Sequence, residues 1–160
     1  SAEFRKPSGK SGPGSGRPAK FYRRTETEIS ISIPPRRYDL AGTLLASAIE
    51  ESDRTGEPVR ASLERVATTL GRELGAAHDS LAHVLEDTGY EPRDDGCGGL
   101  TLWNCPFHTL AASQTEVICH AKLALLRGAV EGVDDTGREA VFEPTAPHCC
   151  VRVVPTDGTP

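Results

Sequence analysis

The 160-residue chain has no methionine, one tryptophan and an aromatic share of 5%. Apolar residues make up 37% of it, enough for the modest core of one domain of about 120 residues and not for several. No apolar run approaches the roughly 18 residues that a membrane span needs, and no secretory signal pattern is present, so a cytoplasmic location is expected. No C-x-x-C pair occurs, which removes the thioredoxin motif and the ribbon-type zinc knuckle. A Gly-rich phosphate loop, H-E-x-x-H and G-x-S-x-G are missing as well, and with them the commoner enzyme signatures.

The charge that is present is divided by position. Residues 1–37 carry nine basic and three acidic side chains, and residues 38–160 carry nine basic and twenty acidic, which together give the net −5. An acidic body of this kind repels phosphate, so any contact with nucleic acid falls to the basic segment.

Residues 5–20 are almost wholly Gly, Ser, Pro and basic residues, a composition that cannot bury enough surface to order itself. With Ser1-Ala2-Glu3-Phe4, which reads as vector-derived, residues 1–27 are expected to be a remnant and a flexible basic arm. Residues 28–155 form the domain and 156–160 a disordered tail. Glu28–Ile33 alternates as a strand, stopped by Pro34-Pro35. Helical spacing then joins Leu40, Leu44, Ala48 and Ile49, and next Leu63, Val66, Ala67, Leu70 and Leu74, with Gly75 as an end signal. A short third helix holds Leu81, Val84 and Leu85. Asp94–Gly99 reads as a turn and Leu100–Asn104 as a strand. The longest helix is expected from Ser113, as N-cap with Glu116 at the capping-box position, to Gly132. Its apolar residues cover most of its circumference, the pattern of a buried helix. Arg138–Glu143 and Cys149–Val154 complete a hairpin. The order β-α-α-α-β-α-β-β predicts an α+β domain with an antiparallel sheet backed by helices.

Five cysteines in such a chain fit metal or redox chemistry better than a disulfide framework. Cys105 ends a strand, Cys119 lies in the first turns of the long helix, and Cys149 starts the last strand on the side of Val151 and Val153. Three elements thus each offer one thiol, and converging thiolates suit zinc or an iron–sulfur cluster. Free cysteine also serves as a small buried hydrophobe, and the residues alone leave both readings open.

Three segments together resemble a known family: Gly16-Arg17-Pro18-Ala19-Lys20-Phe21-Tyr22; Asn104-Cys105-Pro106-Phe107-His108 with Cys119-His120; and Pro147-His148-Cys149-Cys150-Val151. The chain resembles, over about residues 14–154, the SufR-type branch of ArsR-like bacterial winged helix-turn-helix regulators. The resemblance implies an effector domain that holds a [4Fe–4S] cluster through Cys105, Cys119 and Cys149. Cys150, Cys97, His108 and His120 are the candidates for a fourth ligand. It also implies a homodimer in which cluster state controls DNA binding by a repressor, and a wing to which residues 16–22 belong. The helix and terminal hairpin are also similar to the vinyl-reductase-type small-molecule domain. The recognition helix that would enter the major groove is not among these residues. Arg17, Lys20, Arg23 and Arg24 are expected to touch phosphates in the full-length protein.

Two other functions are open to these residues. Cys105, Cys119, Cys149 and a histidine would make a closed zinc site, a structural or dimerisation staple without redox sensing. An enzyme would need a nucleophilic cysteine, such as Cys105 near His108 or Cys149 near His148. A base is normally brought in from elsewhere in the fold, so no enzyme is expected. Trp103 is expected to pack beside the cysteines as a core residue, and His78 and His83 to lie on a helix surface. A dimer is expected to use the first helix and the long one.

Overall fold

The computed structural model describes residues 2–5, 19–22, 31–144 and 148–156, which fall into two units, 1–31 and 32–160. In the first unit, β1 (Ala2–Arg5) pairs antiparallel with β2 (Ala19–Tyr22), Phe4 opposite Lys20. The residues expected to be a vector remnant are thus paired in register with the end of the basic arm. The Lys20 ammonium lies over the rings of Phe4 and Tyr22, at 5.7 and 4.9 Å, a cation–π arrangement at an exposed site.

The second unit is α+β, and its strands and helices follow the expected order with two short elements added. Helix α1 (Tyr38–Thr55) stops at Gly56, whose φ of 75° gives the left-handed cap, and α2 (Val59–Ala76) starts after Pro58. Helix α3 (Leu81–Asp87) is capped by the Ser80 side chain, which accepts the His83 amide. Short strands β3 (Pro92–Asp94) and β4 (Leu100–Leu102) precede α4 (His108–Ser113) and α5 (Thr115–Gly132). Strands β5 (Arg138–Phe142) and β6 (Val151–Pro155) close a wholly antiparallel sheet of order β3-β4-β6-β5, with Leu100 opposite Val153 and Ala140 opposite Val153.

Helix α5 divides the interior in two. One side packs Leu126 and Val130 with α3 and with Leu102, Ala140, Val151 and Val153 of the sheet. The other packs Ile118 and Leu125 with Leu44 of α1, Leu63 of α2 and Phe107. Burial on both sides explains why α5 is apolar nearly all round, and each fully buried Leu or Val contributes about 1.5–3 kcal/mol. Helices α2 and α5 meet backbone to backbone. A Cβ on Gly128 would lie 2.9 Å from the Arg72 amide nitrogen, and one on Gly75 would lie 2.8 Å from the Gly132 Cα.

Several local expectations are corrected. Gly75 does not end the second helix, which runs on to Ala76; it is buried as a contact glycine against α5. Ser113 is not an N-cap. It ends α4, its hydroxyl turns back to the carbonyls of Thr109 and Leu110, and Gln114 precedes α5 without a side-chain cap bond. Ile31–Ile33 form no strand, both isoleucines being exposed, and residues 28–30 lie outside the described ones. Trp103 is 45% exposed rather than core. Leu100 and Leu102 take the inward positions of β4, so alternation sends Trp103 outward. There it lies between the Arg93 guanidinium at 4.2 Å and the His148 ring at 4.5 Å.

Candidate functional site

The Asn104-Cys105-Pro106 turn leaves β4 and is held by a buried amide. Asn104 Nδ2 donates to the carbonyls of Pro35 (2.9 Å) and Gly89 (2.6 Å), and its Oδ1 accepts from Arg36, which also donates to the Cys105 carbonyl at 3.1 Å. With all its donors and its acceptor engaged, the side chain fixes the peptide that carries Cys105. Cys119 projects from the second turn of α5 and is buried, and Cys149 and Cys150 lead into β6. Cys149 takes the inward position and Cys150 is partly exposed.

These four thiols are close enough to act on one another's titration, Cys105 with Cys149, Cys149 with Cys150 and Cys150 with Cys119. Lys122, one turn after Cys119 on α5, lies among them. Its Nζ donates to Cys105 Sγ at 3.2 Å and to Cys149 Sγ at 3.6 Å, and the residue is 1% exposed. Tyr90 completes the surroundings. It is 4% exposed, and its hydroxyl has no hydrogen-bond partner among the described residues.

The electrostatics follow from this packing. Burial works against the Lys122 charge, and negative charge on the sulfurs of Cys149, Cys105, Cys150 and Cys119 works for it and raises its pKa. The hydrogen bond that Cys105 makes with Cys149, together with burial, pushes the Cys105 thiol up. Cys150 moves the other way, chiefly because Cys149 donates to its sulfur, with the charge of Lys122 helping. Burial, and then the neighbouring sulfurs, raise the Tyr90 phenol well above its ordinary value, so it stays a neutral donor. Of the thiols beside this buried ammonium, Cys150 is the one whose surroundings shift it toward the thiolate.

Of the residues singled out by the sequence, the structure gathers Cys105, Cys119, Cys149 and Cys150. Cys97 is exposed in the turn after β3. His108 is exposed at the start of α4, and His120 is exposed with its ring edge-on to Phe142 at 5.6 Å. Arg17, Arg23 and Arg24 lie outside the described residues, whereas Lys20 is exposed on β2. Lys122 and Tyr90 were not anticipated. A charged residue inside the most apolar helix, three positions after a cysteine, was the available signal.

The pocket offers four sulfurs, which are soft donors, a buried cation beside them and a phenol with no hydrogen-bond partner among the described residues. No group of three or more His, Cys, Asp or Glu among the described residues is placed to hold a metal ion; Cys105 and Cys149 are instead set about an ammonium. Comparison with known proteins returns no match: no family model fits the chain, and no curated protein or solved structure is significantly similar to it.

Proposed function

We propose that this chain is the sensory part of a bacterial transcriptional regulator and that its signal is read at the four-cysteine pocket. The observation that carries the reading is the convergence of Cys105, Cys119, Cys149 and Cys150 on the buried Lys122. The cofactor would be a [4Fe–4S] cluster held by Cys105, Cys119 and Cys149, with Cys150 the fourth ligand best placed. A cluster supplies a redox-active, oxidant-labile centre when bound. Lys122 would offset the negative charge of the ligating thiolates, and Tyr90 would donate its unused hydrogen to them. A cluster is larger than one ion and suits thiols spread around an extended group. The zinc alternative would use the same thiols as a tetrahedral staple, and since no described group is preset for a metal ion, the metal assay decides between the two.

The β1–β2 pair, with Lys20 exposed and a Gly- and Ser-rich connection that carries Lys6, Lys10 and Arg17, would serve as the wing. Contact with DNA would come from the hairpin together with a recognition helix that these residues do not include. In a homodimer, α5 is enclosed within its own unit, which leaves α1, where Ile49 is 53% exposed, to meet a second copy. No helix among the described residues is long and apolar enough to cross a membrane.

The test is purification without oxygen, followed by a visible spectrum and assays of iron, sulfide and zinc on one sample. Iron and sulfide in comparable amounts support the reading. Cys105→Ser, Cys119→Ser and Cys149→Ser should each abolish retention, and Cys97→Ser should leave it nearly intact. Zinc without iron, or full iron content in all three serine variants, overturns it.

A further inference from the structure

We propose that Lys122 and Cys105 are a covalent modification site at which dioxygen joins the lysine nitrogen to the cysteine sulfur through one bridging oxygen. The inference goes beyond the cluster reading: it concerns the pocket without a cluster, since ligation would occupy the Cys105 sulfur, and it needs only these two side chains and an oxidant.

Three features carry it. Lys122 Nζ stands 3.2 Å from Cys105 Sγ, already in hydrogen-bond contact, so one oxygen atom can be inserted without moving either backbone. Lys122 is 1% exposed and enclosed by α5, the 105 turn and the start of β6, so its amine is held against sulfur rather than free in solvent, where a lysine ordinarily samples many rotamers. Cys105 is partly exposed, which gives a small neutral oxidant a way in. The second sulfur near the amine, Cys149, is buried and further away, at 3.6 Å.

The step balances with dioxygen as the oxidant. The ammonium and the thiol together give up four electrons, two from nitrogen and two from sulfur, and dioxygen accepts them. One oxygen atom becomes the bridge in N–O–S and the other leaves as water. The N–O and O–S bonds form while one S–H and two N–H bonds are lost. Three of the four hydrogens on the two groups leave, two in the water and one as a released proton. The product is an uncharged link in place of a buried cation, and it ties α5 to the turn after β4.

The experiment takes the full chain purified without oxygen, exposes half to air-saturated buffer, blocks remaining thiols and maps peptides by mass spectrometry. The expected product is one that joins Cys105 to Lys122 with a net gain of one oxygen and loss of two hydrogens relative to the neutral side chains. Tryptic cleavage after Lys122 should be lost in proportion, and both changes should reverse with a thiol reductant. Cleavage after Glu116, which lies between the two residues, leaves two peptides held together by the link alone. Lys122→Met, which keeps an apolar stem in the same space, should lack the product and stay folded by circular dichroism. Recovery of Cys105 from the oxidised half as a free thiol, in a disulfide with Cys149, or as a sulfinic acid, with Lys122 cleaved normally, overturns the proposal. Iron and sulfide are assayed on the same sample and the peptide map is read on its metal-free fraction, so failure of either reading shows by itself.

Discussion

Substitution of Gly128 by alanine offers a sharp test of the backbone-to-backbone contact between α2 and α5. In a helix not so crowded, the change should stabilise by about 1 kcal/mol, the difference in helix propensity between the two residues. Here the new methyl would overlap the Thr68 carbonyl and sit 2.9 Å from the Arg72 amide nitrogen. Those obstacles are main-chain atoms of another helix, and no rotamer change relieves them. The helices must part, which loosens both halves of the core that α5 separates. Overpacking costs about 1–3 kcal/mol, with an unyielding backbone contact at the upper end. After the propensity gain the net loss is about 2 kcal/mol, a fall in Tm of roughly 6–10 °C for a unit of this size. Gly42 in α1, where a Cβ meets nothing within 4 Å, is the internal control. Its alanine variant should gain a few tenths to about 1 kcal/mol. Thermal and urea unfolding followed by circular dichroism reads both. If Gly128→Ala proves as stable as Gly42→Ala, the two helices are not in contact at that glycine.

Removing the Asn104 side chain should cost about 2–4 kcal/mol, because three hydrogen bonds go and the carbonyls of Pro35 and Gly89 lose their donor; an Asn104→Ala variant with unchanged urea midpoint would contradict this. Of the two partly exposed pocket thiols, in a Cys97→Ser background, Cys150 should alkylate faster than Cys105 near neutral pH, following their opposite shifts. Faster labelling of Cys105 would reverse the assignment. His78 binds the Leu74 carbonyl at 2.8 Å and the Asp87 carboxylate at 3.1 Å, and these bonds raise its pKa. Its stabilisation is therefore complete below its unfolded value, near 6.5, and fades as pH rises through the higher folded value. A Tm profile from pH 5 to 9 should lose that component in His78→Gln, and an identical profile would show that the pair contributes nothing.

The helices were legible because apolar spacing repeats along short stretches of chain. The buried character of α5 could be read before its neighbours were known, as could the inward positions of Cys149, Val151 and Val153. The misreadings have different causes, one distant in sequence and one local. Gly75 looks like a stop signal because a terminal glycine and a contact glycine are the same residue, and what separates them is α5. Ser113 has the spacing of a capping box, but α4 forms first along the chain and takes its hydroxyl. The pocket was half visible. Three cysteines on three elements pointed to one place, whereas Lys122 reads locally as a lysine whose stem packs and whose charge reaches water. Its burial depends on sulfurs 17 and 27 positions away.

The clamp around Asn104 ties the pocket to the path of the chain. Arg36 lies two residues before α1, on the stretch that leads in from the hairpin unit, and its guanidinium is fastened to the Asn104 side chain and the Cys105 carbonyl. Arg37 is fastened beside it, its amide to the Pro106 carbonyl at 3.1 Å and its side chain to the Asp87 carbonyl at 2.6 Å. The anchorage of the incoming chain and the seat of one pocket sulfur are therefore the same few peptide units. A shift of Cys105 acts as a tug on a mooring line: it either carries the start of α1 with it or gives up the bonds that hold it.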